Sequence, residues 1–401
     1  MTKKIAILAI VGLIIRLVLI PITMHADFRA YNLAAYLITQ KGQLLGFYDY
    51  ISRLPRTDRI LEVFMTDGLF IYPPLAYLTH ALFMWLLSPL YPWQTLNTLI
   101  LYFDHVRPDP HLPWLLYLLK FPYLVADAAG LFIIFKLVDS KRKLLAASLW
   151  IFNPVTIYSS YMLAQFDIYI AVFLLLALLL AARGRSLWAA VCIGLAAGFK
   201  PFPLLLVPFL GQGLWGKFKH IGLAFLTYLI IIFPYLSSPA FRQYALLADQ
   251  TEKLWFAKIP VSGGQSISIF LLGLVLLLWW NFYKPKAMSL AGWLTSILLL
   301  FFSVVHYHVQ WFTWIVSSLI LVLTVKKLFL PSLVLLFCYV AIVLLGEQTL
   351  FFGLFGSPFN LAAKFTLMPV DQVVSLIRTV FAATSIHLIY TNVLPPHAKK
   401  T

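Results

Sequence analysis

The chain is poor in charge, poorer still in acid, and nearly without cysteine. Only 11% of its 401 residues are charged, against about a quarter in soluble domains, while 62% are hydrophobic and the mean hydropathy is +0.90. That scarcity excludes an ordinary water-soluble domain. Cys192 and Cys338 each lie inside an apolar run and far apart in sequence, so neither a disulfide framework nor a cysteine metal site is implied. No internal repeat is evident, which counts against transporters built from repeated halves. No small-x-small cleavage signature follows Lys3-Lys4 and the run Ile5 to Ile20, so this stretch reads as an uncleaved first span. Acids number 14 against 30 lysines and arginines, for a formal net charge of +16. A nucleic-acid partner would need that excess gathered in a stripe, whereas most of it sits in short loops, so no nucleic acid is expected.

The basic residues come in clusters: Lys3-Lys4, Lys141-Arg142-Lys143, Arg183-Gly184-Arg185, Lys217-Phe218-Lys219, Lys284-Pro285-Lys286, Lys326-Lys327 and Lys399-Lys400. With every cluster cytoplasmic, as the charge rule for short loops directs, the other side receives twelve of the fourteen acids: Asp27, Asp49, Asp58, Glu62, Asp67, Asp104, Asp109, Asp167, Asp249, Glu252, Glu347 and Asp371. Only Asp127, inside an apolar run, and Asp139, beside Lys141, fall elsewhere. Carboxylate chemistry is therefore expected on the extracytoplasmic face.

A spanning helix needs about 20 apolar residues. The candidate segments are 4–23, 113–138, 143–162, 166–183, 186–199, 201–215, 218–236, 265–283, 287–305, 309–325, 328–346 and 372–391. They predict an all-α, multi-pass integral membrane protein with about twelve transmembrane helices in a single domain, 1–401, embedded in a lipid bilayer. Pro201, Pro203 and Pro208 interrupt the short 186–199 and 201–215 region, predicting two abbreviated helices that meet near Lys200 on the outer side, a break tolerated where it lines a cavity. Two outer loops exceed what connection needs. The first, 24–112, contains an apolar stretch, 75–102, that either lies on the membrane surface or forms a hairpin into it; the second, 237–264, is expected to be mobile.

Asp27 follows the first span directly, in His25-Ala26-Asp27-Phe28-Arg29. Partial desolvation at that level raises a carboxylate's basicity and suits it to accept a proton from a sugar hydroxyl; a surface pair with Arg29 is the plainer alternative. Lys200, in Gly198-Phe199-Lys200-Pro201-Phe202-Pro203, is the most isolated basic residue. At mid-membrane depth a lysine costs about 3 kcal/mol and calls for an anionic partner such as a lipid phosphate, unless it snorkels to the interface. Lys120 and Asp127 share a helix face but lie about 10 Å apart along it, so they cannot pair. Asp127 is either a functional acid or a buried structural hydrogen-bond partner.

His306 and His308, spaced by two in His306-Tyr307-His308-Val309-Gln310-Trp311, do not share a helix face, which weakens a two-histidine metal site. They suit donation to a phosphate or sugar, or an aromatic belt with Trp311 and Trp314. Gln165 and Asp167 open one span on the outer side, where they meet a ligand in an outer cavity or, for Asp167, cap the helix. Arg378, about two turns into the last span, meets either a phosphate or Asp371. Tyr72-Pro73-Pro74-Leu75 is a rigid, extended turn.

In order and spacing these pieces resemble the GT-C superfamily of membrane glycosyltransferases, many of which use polyprenyl-phosphate sugars, and within it GPI mannosyltransferase I and its microbial relatives. The resemblance runs from Asp27 to about Pro208, through Tyr72-Pro73-Pro74-Leu75, Lys120 followed by Asp127, Asn153-Pro154, Gln165-Phe166-Asp167 and Lys200-Pro201, with His306 to Trp311 as the later match. Tyr72 to Leu75 and His306 to His308 are also similar to the glucosyltransferases that extend lipid-linked oligosaccharides. The resemblance implies a GT-C-like bundle that moves a hexose, mannose foremost and glucose second, from a polyprenyl-phosphate donor to a glycan or glycolipid acceptor. Transfer would be extracytoplasmic and would invert the anomeric centre.

In that scheme Asp27 is the general base, Lys200 lies at the donor phosphate with His308 or Arg378, and Gln165, Asp167, His306 and Tyr72 contact substrate. Several family members carry an acid-x-acid pair in the first outer loop; here His25 takes the first position, so neither a metal nor another cofactor is expected. A flippase or transporter of lipid-linked sugars, without catalysis, would use the same Lys200 and basic loops but gives Asp27 no task. A polymerase or ligase of lipid-linked glycans would favour an arginine-rich outer loop, and 237–264 has only Arg242.

Overall fold

A chain in lipid must satisfy its backbone N–H and C=O groups internally, and this one does so by helix. The computed structural model describes residues 3–66, 68–247, 249–306, 308–346 and 368–393, without the side chains of 249–251, 346 and 393. Asp67, Glu347, Lys399-Lys400 and the side chain of Asp249 thus lie outside the described residues. The structure is 77% helical, and the strands among the described residues form one antiparallel hairpin, Lys258–Ser262 with Gln265–Ser268.

Five helices among the described residues are long and apolar enough to cross a membrane: Lys3–Ile22, Leu112–Leu137, Gly213–Tyr235, Val309–Lys326 and Val370–Asn392. The protein is accordingly an all-α membrane protein. Five is fewer than the twelve apolar segments of the sequence because several segments are short or broken. Residues 143–162 divide into the helix Lys143–Ile151, a stop at Asn153-Pro154 and a π-helical turn, Ile157–Met162; Asn153 Oδ1 caps the stop by accepting from the Val155 and Thr156 N–H groups at 3.0 and 3.2 Å. Residues 201–215 are not an abbreviated helix. Three prolines withhold N–H donors, the backbone tightens into 3₁₀ turns over Phe202–Phe209, and a new helix begins at Gly213.

The long first loop is helical too. Leu75–Leu86 and Trp93–Leu101 both pack on Phe28–Gln40. The second loop, expected to be mobile, carries a π turn at Phe241–Leu246, a 3₁₀ stretch at Asp249–Trp255 and the β-hairpin.

Two buried charge clusters fasten the first helix. Arg16 Nε donates to Asp127 Oδ2 at 2.5 Å, while Trp150 Nε1 and the Tyr161 hydroxyl donate to the same carboxylate at 2.6 and 2.7 Å. Trp150 comes this close because Gly130 faces it; a Cβ there would lie 2.3 Å from the indole. Lys120 Nζ donates to the carbonyls of Ile20, Thr23 and Tyr161 at 2.9, 2.5 and 2.8 Å. Of the two roles open to Asp127, the geometry is that of buried structural bonding, and its partner is Arg16, which the sequence did not single out.

Candidate functional site

The site is built on a four-residue turn, Ala164 to Asp167, between the π turn and the helix Asp167–Ala182. Ala164 adopts φ +56°, a left-handed conformation that is uncommon without glycine. It is held there: its carbonyl oxygen accepts from the hydroxyls of Tyr31 at 3.2 Å and Tyr123 at 2.8 Å, and the Tyr123 hydroxyl is 2.9 Å from His80 Nε2.

From this turn Gln165 reaches one carboxylate and Asp167 supplies the other. Gln165 Nε2 donates to Asp27 Oδ2 at 3.3 Å. The Asp27 N–H donates to His25 Nδ1 at 3.2 Å, so that nitrogen is an acceptor here, 3.6 Å from Asp27 Oδ2. The Asp27 side chain is 56% exposed, more open to water than the sequence suggested. It does not pair with Arg29, which donates to the Ile100 carbonyl at 2.5 and 3.0 Å and lies over the rings of Phe64 and Phe103.

Asp167 is wholly buried and does not cap its helix. Its Oδ1 accepts from Lys200 Nζ and from Trp314 Nε1, both at 2.6 Å, and Oδ2 has no partner among the described residues. Lys200 is only 4% exposed. The anionic partner it was expected to need is thus Asp167, and four rings box its ammonium: Phe166 at 4.9 Å, Tyr72 at 5.3 Å, and Trp311 and Trp314 at 5.4 Å. Such cation–π contacts favour a desolvated cation. Tyr72 is brought there by the backbone. The Leu75 N–H donates to the Gly198 carbonyl at 3.0 Å, and a Cβ on Gly198 would lie 2.6 Å from Leu75 Cδ1, so glycine permits the two segments to touch.

An apolar cavity of about 310 Å³ opens beside this box, walled by Tyr72, Pro73, Lys200, Leu246, Trp311 and Trp314 among others. A second basic group approaches Trp311 from the second outer loop. The Lys253 ammonium sits 5.0 Å over the Trp311 ring and donates to His308 Nε2 at 2.8 Å. Burial, then Lys253, Lys200 and His306, push the His308 imidazole down to about 4. Burial, Lys253 and Arg378 likewise lower His306, which places Arg378 of the last helix near that ring. Trp311 Nε1 is buried and has no hydrogen-bond partner among the described residues.

The structure therefore brings together Tyr72, Gln165, Asp167, Lys200 and His308, with Asp27 at the rim through Gln165 and His306 and Arg378 beside His308. The sequence did not single out Lys253 or the indole box as site elements. Lys253 was visible as one of few cations in a long outer loop; Trp311 and Trp314, three apart, were read as an interfacial belt. Among the described residues no three His, Cys, Asp or Glu side chains gather as metal ligands would. No protein-family model, curated protein or solved structure matches the chain.

Proposed function

We propose that the protein is an inverting glycosyltransferase. It moves a hexose, mannose before glucose, from a polyprenyl-phosphate donor to a hydroxyl of a glycan or glycolipid acceptor at the extracytoplasmic face, within a GT-C-like bundle of about twelve helical segments. The observation that carries this reading is the 164–167 turn, which links the water-exposed carboxylate of Asp27 to the Asp167–Lys200 pair at the wall of an apolar cavity. A donor of this class has three parts with different needs. The prenyl chain suits the apolar cavity, the phosphate suits the cations around Trp311, and the sugar then lies toward Asp27.

In this reaction Asp27 accepts the proton of the acceptor hydroxyl as its oxygen attacks the anomeric carbon. The bond from that carbon to the phosphate oxygen breaks on the opposite side, its electron pair leaves with the polyprenyl phosphate, and the centre inverts. Lys253, Arg378 and the Trp311 N–H, which has no partner among the described residues, would stabilise the departing anion. Lys200 retains two N–H donors beyond the one given to Asp167. His308, an acceptor from Lys253, aims that ammonium rather than binding phosphate itself.

The test is Asp27→Asn, assayed in detergent with a labelled polyprenyl-phosphate sugar and acceptor. Loss of a general base predicts a rate about 10² to 10⁴ lower with unchanged thermal stability, since the Asp27 side chain is more than half exposed. A fully active variant refutes the assignment. Failure of the native chain to form product, with no membrane to cross, would instead favour a lipid-linked sugar flippase.

A further inference from the structure

We propose that the opposite end of the bundle, where the basic clusters gather, binds one anionic membrane lipid whose headgroup carries a hydroxyl. A cavity of about 640 Å³ opens there, lined by Leu137, Ala182, Ser186, His220, Asn281 and Pro285 among others. Ala182, Ser186, His220 and Pro285 adjoin three separate basic clusters in sequence and Leu137 lies four residues before a fourth, so the lining draws the ends of these segments together. Ser186 follows Arg185, and Pro285 lies between Lys284 and Lys286. Asp139, the acid nearest in sequence to Leu137, is engaged by Arg142 at 3.3 Å.

His220 points to a ligand. It is 7% exposed, and its Nδ1 lies 2.6 Å from the Gly216 carbonyl oxygen. That oxygen only accepts, so Nδ1 carries a hydrogen, and in the neutral ring Nε2 is left as an acceptor. Nε2 is buried without a partner among the described residues, a condition native interiors rarely leave unmet. A ligand hydroxyl satisfies it.

The second half of the site is Lys217. Its ammonium donates to the Pro208 carbonyl and to Asn281 Oδ1 at 2.7 and 2.5 Å, and an ammonium has three donors, leaving one for a phosphate. Asn281 lines the 640 Å³ cavity, whereas Lys217 lines a separate groove of about 320 Å³ with Leu214, Phe218, Ile221, Val275 and Trp279, all apolar. Leu214 and Phe218 are more than half exposed. Cavity and groove meet at the Lys217–Asn281 contact. A phospholipid has this anatomy: hydroxyl-bearing headgroup in the cavity, phosphodiester at Lys217, acyl chains in the groove. Basic pockets between membrane helices bind anionic headgroups in this manner.

The experiment uses the native chain in detergent, mixed separately with phosphatidylglycerol, phosphatidylmethanol, phosphatidylcholine or glycerol 3-phosphate, with retained lipid counted by native mass spectrometry and unfolding temperature recorded. Phosphatidylglycerol is expected at one copy per chain, retained about fivefold better than zwitterionic phosphatidylcholine, the effect of one basic side chain. It should also exceed phosphatidylmethanol, which has the charge without the hydroxyl. Lys217→Met should erase the first preference and His220→Ala the second. Equal retention of the three lipids by the native chain overturns the proposal, as do variants that keep both preferences. Glycerol 3-phosphate stabilising as well as the lipid also overturns it, in favour of a soluble anion. Because the lipid comparison is made on the native chain, a variant that does not fold leaves the outcome decidable.

Discussion

Lys200→Met tests how the candidate site is held together. Methionine keeps the length of the side chain and removes its charge. Asp167 would then remain wholly buried with Trp314 Nε1 as its remaining donor, since Oδ2 has no partner among the described residues. Removing one member of a buried pair costs about 3–5 kcal/mol, because the other charge is left uncompensated. Asp167→Asn is the milder change: the stranded ammonium still faces four rings within 5.4 Å, and cation–π contacts are worth up to about 2 kcal/mol when desolvated. The double variant removes both charges, and recovery of about 2–3 kcal/mol relative to Lys200→Met is expected from pair coupling. Stability is read from thermal unfolding in detergent, and activity from transfer of labelled sugar. The double variant should fold yet transfer poorly, separating the structural role of the pair from its electrostatic one. If Lys200→Met unfolds with the native chain, or the double variant is no better than it, the pair does not hold the turn and the reasoning fails.

Lys120→Met strands two buried carbonyls, those of Ile20 and Thr23, while Tyr161 O keeps the Thr23 hydroxyl; at about 1–3 kcal/mol for each unmet group, a loss of at least about 2 kcal/mol is expected in the same unfolding assay. Gly198→Val drives a side chain into Leu75, whose Cδ1 would lie 2.6 Å from the new Cβ. It should destabilise by about 1–3 kcal/mol and raise the KM for donor as the Tyr72 turn is displaced; an unchanged KM would remove Tyr72 from the site. His308 yields a pH prediction. Its ring is held at about 4 by burial and by Lys253, Lys200 and His306, below the ordinary value of about 6.5. Between those values the unfolded chain binds more protons, so this contribution to stability is full above about pH 6.5 and is lost as pH falls through about 4. His308→Gln should flatten the unfolding temperature across that window, and equal slopes for variant and native chain would contradict the burial.

Much of the helical framework was legible because apolar runs alternate with basic loops, and lipid leaves the backbone little choice. Individual residues of the candidate site stood out too, since Asp27, Asp167 and Lys200 each lie in an apolar setting. Their partners were not. Arg16 and Asp127 are 111 residues apart, and Lys200 and Asp167 are 33 apart. A contact between helices leaves no periodic trace in either strand of sequence. Trp311 and Trp314 carried a usable signal that a belt reading hid: at i and i+3 they share a face, and their rings stack at 5.3 Å against Lys200. The prolines of 201–208 announced a break but not its 3₁₀ form.

Irregular backbone concentrates around the site. The π turn Ile157–Met162, left-handed Ala164, and the 3₁₀ stretches Phe202–Phe209 and Val309–Phe312 all adjoin the residues that enclose Lys200. Carbonyls freed by these breaks are bound by side chains: Tyr161 O accepts from Thr23 and Lys120, each at 2.8 Å, and Ala164 O from two tyrosines. A regular helix through this region would have been simpler to satisfy, but it would turn residues 165 and 167 about 200° apart, so that one of them faced away from the site. The left-handed step at Ala164 leaves Gln165 outside the helix and starts it at Asp167, and both side chains then reach the same region. Strain of about 1–3 kcal/mol at such a residue persists when its surroundings over-determine it, and here the hydroxyls of Tyr31 and Tyr123 do so. The break thus presents two polar groups from one turn, an arrangement that suits the proposed transfer between a lipid-borne donor and a water-borne hydroxyl.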